Sequence, residues 1–236
     1  MSLSSDQQLD AIRTEGSRFW DTIDAATDLE ARVPSCPDWN VGDLARHLAG
    51  VHAFWTQIVD PEAVSNDRPI ATIALVGLGR EALERMVDVL ASADPQQHVW
   101  TWASQQDVAF VTRHQVQEAA VHRWDAQTAA GADVDPIAPD AAADAIDEFL
   151  ILTRPALTKD SPPLGGSVHL HCTDVDGEWI VHADGRVEPI HAKGDVALRG
   201  TASDLLLALY SRIPLDNLDV IGDRAVAAAF LDVHLG

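Results

Sequence analysis

The chain has few cysteines and few basic residues. Only two of its 236 residues are cysteine, Cys36 and Cys172, which is too few for a disulfide framework or a cysteine-based zinc site. Any metal must therefore be held by histidine and carboxylate side chains. The 16 Lys and Arg residues stand against 37 Asp and Glu, which gives a formal net charge of -21. Such a charge repels phosphate backbones and anionic lipid surfaces, so we expect neither nucleic acid nor membrane as a partner.

Long apolar runs are also missing. The longest stretches, such as 73–78 and 225–231, fall far short of the roughly 20 residues that a membrane-spanning helix needs. The first six residues, MSLSSD, carry neither the basic nor the apolar segment of a secretory signal, so we expect a cytoplasmic protein. The hydrophobic fraction of 47% is enough for the core of one large domain or two small ones.

The pattern of residues predicts two domains and an α+β fold. Residues 1–154 have helical periodicity, and we predict five helices there, with Asn40 capping the second and Gly131 ending the fourth. Proline and glycine are concentrated between 155 and 166, which is typical of a domain boundary. Residues 167–236 alternate polar and apolar side chains between short turns, which predicts a small antiparallel sheet with two helices.

Three residues of the helical domain form a candidate metal site. Glu118 and His122 are four positions apart, hence ~40° apart around a helix, and both face the apolar stripe of the fourth helix. His47 lies on the corresponding stripe of the second helix. Two imidazole nitrogens and one carboxylate oxygen are a ligand set of catalytic zinc sites, which also suits iron, nickel or manganese. An intrahelical ion pair and a buried histidine are the alternative interpretation.

Neighbouring polar residues have simpler interpretations. His52 falls ~140° around the helix from His47, so we expect it to support the site or the structure without sharing a metal. His114 is expected to be a partly exposed helix histidine. Arg123 and Asp125 follow His122 and are expected on other faces, in caps or ion pairs. Three tryptophans could wall a pocket but are more often plain core: Trp39, Trp55 and Trp124.

Histidines also recur in the second domain. His169 and His171 share one face of a predicted strand, and His182 and His191 follow on later strands. Strand histidines without a carboxylate or cysteine partner are usually surface residues, so the sequence predicts no metal site there.

Several segments resemble one known family. Residues 33–44, VPSCPDWNVGDL, lead into His47, and residues 118–125 read EAAVHRWD. Together with 199–205, RGTASDL, they resemble the mycothiol-dependent maleylpyruvate isomerase family. The resemblance implies a DinB-like four-helix bundle for residues 1–154 and a smaller sterol-carrier-like α/β domain for residues 167–236.

The resemblance also implies site residues. The metal ligands of the family fall on His47, Glu118 and His122, which are the residues that spacing selects. A catalytic arginine of its C-terminal domain falls on Arg212, with Arg199 as the alternative. Gln117 departs from the family pattern, in which a histidine commonly precedes the metal-binding glutamate.

The implied function is a mycothiol-using, metal-dependent isomerase or S-transferase that acts on a small electrophile of the maleylpyruvate type. The implied metal is zinc, with Ni²⁺, Fe²⁺ or Mn²⁺ as alternatives. In such an enzyme a thiolate adds to an electron-poor double bond, permits rotation and leaves, or it stays attached. Two alternatives use the same residues: a non-catalytic protein that binds a metal and an apolar ligand, and a metal-dependent hydrolase.

Overall fold

The computed structural model describes residues 2–63, 74–159 and 162–232. The chain divides into two compact units. The first comprises Ser4–Thr101 and Gln105–Asp135, and the second comprises Pro136–Gly236 with the segments Met1–Leu3 and Trp102–Ser104. The first unit is helical and the second contains a small sheet, so the predicted α+β class is confirmed.

Four long helices build the first unit. They are α1 Ser5–Ala25, α2 Val41–Val59, α3 Leu75–Ser92 and α4 Val108–Ala130. Helices α1 and α2 each pack against both α3 and α4, which makes the unit a four-helix bundle. Its interior is filled by large apolar side chains without solvent exposure, among them Phe19, Trp20, Leu44, Leu48, Met86 and Phe110.

The ends of the helices follow local sequence signals. Asn40 and Asp43 form a capping box at the start of α2, with the Asp43 amide donating to Asn40 Oδ1 at 2.7 Å. Gly131 ends α4 with a φ of 66°, in the left-handed region that favours glycine. Both predictions are confirmed. Helix α4 begins slightly later than the predicted start near Gln105, because the Asp107 side chain caps it by accepting from the Phe110 amide.

A short hairpin joins α1 to α2. Strand β1 Arg32–Val33 pairs antiparallel with β2 Cys36–Asn40. This hairpin contains Pro34 and Pro37, and it carries Ser35 and Trp39 to the start of α2.

The second unit begins earlier in the chain than we predicted. Helix α5 Pro139–Glu148 continues through a π-helical turn, Phe149–Thr153, into α6 Arg154–Leu157. The sequence analysis placed this helix in the first domain and the boundary after Arg154. Helix α5 packs instead on α7 Ala202–Leu209, and Asp147 accepts a 2.9 Å hydrogen bond from the Trp179 indole. Contacts distant in sequence thus place α5 with the sheet.

A five-stranded sheet forms the centre of the second unit. Its strands are β3 Val168–Cys172, β4 Glu178–Val181, β5 Val187–Glu188, β6 Val196–Gly200 and β7 Asp219–Gly222, in the order β5-β4-β3-β6-β7. The predicted antiparallel pairing is wrong for β3 and β6, which run parallel because the chain crosses over between them. Helices α7 and α8 Arg224–Leu231 pack on β3 and β6.

Within the described residues, no helix is both long enough and apolar enough to cross a membrane.

Candidate metal centre

The three residues selected by spacing meet between two helices. His47 comes from α2, and Glu118 and His122 lie one turn apart on α4. Glu118 Oε1 is 3.2 Å from His47 Nε2 and 3.4 Å from His122 Nε2. One potential ligand atom from each residue lies within 4.8 Å of the other two. The structure thus brings these side chains together, and their role as metal ligands stays a prediction.

Glu118 and His122 each shift the pKa of the other. Burial by itself would raise the pKa of the Glu118 carboxyl, but the charge and hydrogen bond of His122 and the hydrogen bond of His47 hold it well below its usual value. Burial would likewise lower the pKa of His122, yet Glu118 and Asp125 raise it to about 9. Glu118 is therefore an ionised oxygen donor at neutral pH.

A carboxylate behind His122 fixes the orientation of its ring. Asp125 Oδ2 is 3.0 Å from His122 Nδ1, and Asp125 is fully buried. Ser35 of the hairpin donates to Asp125 Oδ1 at 2.5 Å. With Nδ1–H donated to Asp125, the ring of His122 is held so that Nε2 faces Glu118 and His47. The raised pKa of His122 means that Nε2 carries a proton at neutral pH, which a bound metal would displace.

Sequence reasoning missed this supporting role of Asp125. We expected Asp125 on another face of α4, in a cap or an ion pair. The signal that could have found it is the three-residue spacing from His122, which places a carboxylate beside an imidazole on one helix.

The site is open on the side of α2. Side-chain exposure rises from 10% for His122 through 20% for Glu118 to 34% for His47. The Trp39 ring lies against this open side, with its centroid 4.7 Å from that of His47 and 6.5 Å from that of His122. A small ligand can therefore reach the nitrogen and oxygen donors alongside an aromatic wall.

His52 lies on the buried stripe of α2. It has no solvent exposure, and neither ring nitrogen has a hydrogen-bond partner among the residues that the structure describes. Burial lowers the pKa of His52 to about 4, so the ring is neutral at neutral pH. His52 is not one of the three converging residues, as its position around the helix predicted.

Replacing His52 with leucine should make the free energy of unfolding less dependent on pH on the acid side of neutrality. In the wild type, the folded-state pKa of about 4 lies below the ordinary value of 6.5, so only the unfolded chain binds this proton between those pH values. The free energy of unfolding is therefore lost as the pH falls through that window, by about 3 kcal/mol for this one group. Urea unfolding of both metal-free proteins by circular dichroism tests this, and parallel pH profiles would contradict it.

The remaining candidates on α4 have structural contacts. The His114 ring stacks on Phe110 with 5.5 Å between centroids, and its Nδ1 is 3.0 Å from Gln117 Nε2. Gln117, the departure from the family pattern, is buried and thus supports His114. Arg123 is fully buried and donates to Glu15 on α1 at 2.7 Å. We expected Arg123 in a cap, in solvent or in an ion pair with a neighbouring helix, and the structure shows the ion pair.

Arg212 and Arg199 both belong to the second unit. Arg212 follows Ser211, whose φ of 59° lies in the left-handed region, and its Nη1 donates to the Tyr210 carbonyl at 2.8 Å. Arg212 lines an open groove of about 500 Å³ with apolar side chains that include Leu231. Arg199 lies on β6 and faces Asp219 at 3.5 Å. The catalytic role of either arginine stays a prediction.

The comparisons with known proteins agree with this architecture. Residues 9–127 match the family model described as the mycothiol maleylpyruvate isomerase N-terminal domain, and residues 138–229 match the MDMPI C-terminal domain. Two solved structures of mycothiol-dependent maleylpyruvate isomerase, one of them a histidine-to-alanine mutant, share the fold. Each has a TM-score of 0.63 and 13% identity over 92% of this chain and 93% of the other. No curated protein has a significantly similar sequence. Because the two domain matches follow one another along most of the sequence, the chain belongs to the mycothiol maleylpyruvate isomerase family.

Proposed function

We propose that the chain is a metal-dependent enzyme that uses mycothiol to act on a small electrophile, as an isomerase or an S-transferase. The observation that carries this proposal is the convergence of His47, Glu118 and His122 on one point, open to solvent at one side. Family membership supports the choice of the thiol and of a maleylpyruvate-like substrate.

The side chains fit a divalent metal. Two imidazole nitrogens and one carboxylate oxygen leave a further position for a ligand, as catalytic zinc sites do. Glu118 is ionised, and Asp125 orients the ring of His122 so that Nε2 faces the other two side chains. A divalent ion held there would supply a Lewis acid that lowers the pKa of a coordinated thiol. Zinc is our first choice, and nickel, iron and manganese accept the same donors.

We assign the nucleophilic sulfur to a separate molecule, because neither of the two cysteines, Cys36 and Cys172, is among the three converging residues. Cys172 belongs to the second unit, and burial, reinforced by Asp174 and Glu178, raises the pKa of its thiol to about 12. Cys172 is therefore a neutral thiol at neutral pH. Mycothiol would supply the missing sulfur nucleophile.

An arginine is needed to bind an anionic substrate. With a net charge of -21, the chain does not attract anions over long distances, so recognition falls to local cations. We assign this role to Arg212, whose two-donor fork suits a carboxylate or a developing enolate. Its neighbour Ser211, held at a φ of 59°, fixes the direction in which the backbone leaves α7.

Arg212→Gln should lower kcat/KM by about 10²- to 10³-fold, the usual cost of removing one donor that stabilises developing negative charge. Arg199→Gln is the matched control, because Arg199 lies in the same unit with an exposed ion pair to Asp219. Steady-state rates of both variants decide the assignment. The reverse pattern, with loss only in the Arg199 variant, would move the role to Arg199.

The proposal is tested by a thiol-dependent turnover assay. Zinc-loaded protein is mixed with maleylpyruvate at increasing mycothiol concentration, and formation of the trans isomer and of any sulfur adduct is followed. We expect a rate that rises with mycothiol and saturates. If the trans isomer forms and the concentration of mycothiol stays constant, the protein is an isomerase. If mycothiol is consumed, it is an S-transferase.

Two other outcomes reject the proposal. Thiol-independent cleavage of an ester or amide by the zinc-loaded protein would favour the hydrolase. Absence of any turnover together with tight binding of an apolar ligand would favour the non-catalytic binding protein.

A further inference from the structure

A second cluster of metal-ligating side chains lies on the sheet of the second unit. His169 and His171 project from one face of β3, because residues two apart on a strand share a face. Glu178 on β4 is the cross-strand partner of His171. His191 comes from the segment between β5 and β6. These four residues belong to one unit and none of them is part of the candidate centre in the bundle.

All three imidazoles surround the single carboxylate. Glu178 Oε2 is 2.8 Å from His169 Nε2, and Glu178 Oε1 is 3.1 Å from His171 Nδ1. His191 Nδ1 also contacts Glu178 Oε2. The rings of His169 and His191 pack edge to face with 5.2 Å between their centroids. One potential ligand atom from each of the four lies within 4.8 Å of every other.

This arrangement exceeds what an ordinary ion pair needs. One carboxylate balances the charge of one imidazolium, yet three imidazole nitrogens are directed at Glu178, and His169 among them is buried. Three imidazoles and one carboxylate gathered at one place are a ligand set that a divalent transition metal accepts. Neutral imidazoles beside an ionised carboxylate are the protonation states that bind a transition metal.

We propose that His169, His171, Glu178 and His191 form a second metal site, selective for zinc-like divalent ions, on the sheet of the second unit. Three nitrogens and one oxygen complete a tetrahedral shell from protein atoms alone, which is typical of a structural site. The bound ion links β3, β4 and the segment that carries His191. This inference is independent of the proposed function, which uses other residues.

The spacing suits such a shell. Ligand atoms of a tetrahedral zinc site with bonds of ~2.0 to 2.1 Å lie about 3.3 Å apart, and the distances of 2.8 and 3.1 Å already measured are close to this value. Rotation of His171 and His191 can supply the remaining adjustment, because both are more exposed than His169.

One further charge faces the cluster. Arg199 on β6 is the register partner of His171, on the other side of β3 from Glu178. Its guanidinium is 3.5 Å from Asp219, which offsets the positive charge at that edge of the site.

The sequence analysis predicted no metal here because it identified no carboxylate or cysteine partner for the strand histidines. That expectation overlooked Glu178, which the β3–β4 hairpin places opposite His171. Antiparallel pairing supplies the missing partner from seven positions away.

Zinc binding by the full-length chain, prepared without a polyhistidine tag, tests the proposal. A His122→Ala background removes a ligand of the bundle site, so the remaining stoichiometry reports the sheet. We expect this variant to bind one zinc ion per chain in a titration against a competing chelator. Adding His191→Ala should weaken that binding by at least ~100-fold, since even partners outside the ligand shell contribute about 10- to 100-fold.

His182→Ala in the same background is the matched control. His182 follows β4 and pairs with Glu188 at 2.7 Å, outside the four ligands. Its removal should leave zinc affinity unchanged. His191 is 77% exposed and lies outside any strand, so its replacement should not disturb folding, which circular dichroism checks. Imidazole nitrogen resonances of His169, His171 and His191 should shift together on addition of zinc.

Two results would overturn the inference. The first is that the folded His122→Ala protein binds no zinc when protein and zinc are mixed at stoichiometric concentration. The second is that the variants carrying His182→Ala and His191→Ala bind zinc with equal affinity. The cluster would then be a hydrogen-bond network and not a metal site. The thiol-dependent turnover of the single His191→Ala variant is measured separately. It shows whether the bundle site is active, whichever result the zinc titrations give.

Discussion

Replacing His122 with alanine is expected to remove one bound zinc ion per chain and to lower kcat/KM by at least ~10³-fold. Only His47 and Glu118 of the three converging side chains remain in this variant, and two donors hold a divalent ion poorly. The rate effect follows because Lewis-acid stabilisation is worth several kcal/mol. Elemental analysis after dialysis and steady-state rates with mycothiol measure the two effects.

His114→Ala is the matched control for this experiment. His114 lies on the same helix and stacks on Phe110, but it is not one of the converging residues. Its zinc content and rate should equal those of the wild type. The His122 variant should stay helical, because the bundle has an apolar core of its own and Asp125 keeps its hydrogen bond from Ser35. Global unfolding of that variant would indicate a structural metal, and unchanged zinc content would contradict the site.

Glu15→Ala should destabilise the helical unit by about 3 to 5 kcal/mol, the usual loss when one partner of a buried ion pair is removed. Arg123 has no exposed side-chain surface, and Glu15 is its carboxylate partner at 2.7 Å. Without Glu15, the guanidinium loses this charged partner, while the neutral amide oxygen of Gln127 stays at 2.9 Å. Urea unfolding followed by circular dichroism measures the loss.

Arg18→Ala provides the comparison, since Arg18 also lies on α1 and pairs with Asp135 at 3.9 Å, but on the surface. Removing an exposed pair should cost no more than about 1 kcal/mol. A double replacement, Glu15→Leu with Arg123→Met, should recover most of the stability, because apolar side chains of similar size avoid the cost of burying charge. Equal effects of Glu15→Ala and Arg18→Ala would contradict a special role for the buried pair.

Features encoded within one or two helical turns could be predicted from the sequence. The Asn40 cap and the Gly131 terminus depend on local backbone geometry, and both are observed. The pairing of Glu118 with His122 follows from helical spacing alone. His47 required the further inference that the apolar stripes of two helices face each other, which holds in any bundle.

Features that depend on distant pairing could not be predicted in this way. Ser35 and Asp125 are 90 residues apart in sequence, and only the packing of the hairpin against α4 joins them. Glu178 meets His171 through strand register, and α5 joins the second unit through its contacts with α7. No local pattern specifies such partners.

The identity of the chemistry is harder to predict than the fold. At 13% identity the solved relatives share the architecture, and related scaffolds host different reactions. Gln117, directly before Glu118, is buried and contacts His114. The ligand set and the thiol therefore have to be tested directly on this protein.

Calorimetric titration of the zinc-loaded protein with mycothiol and with its oxygen analogue tests the central claim most directly. Repeating the titration in buffers of different ionisation enthalpy measures the protons released. We predict that mycothiol binds much more tightly than the analogue and releases a proton below the pH at which the free thiol ionises, because coordination deprotonates it. The His122→Ala protein should lose both the preference for mycothiol over its oxygen analogue and the release of a proton on binding. Equal affinity for the thiol and its oxygen analogue, or no binding of either at millimolar concentration, would contradict the account.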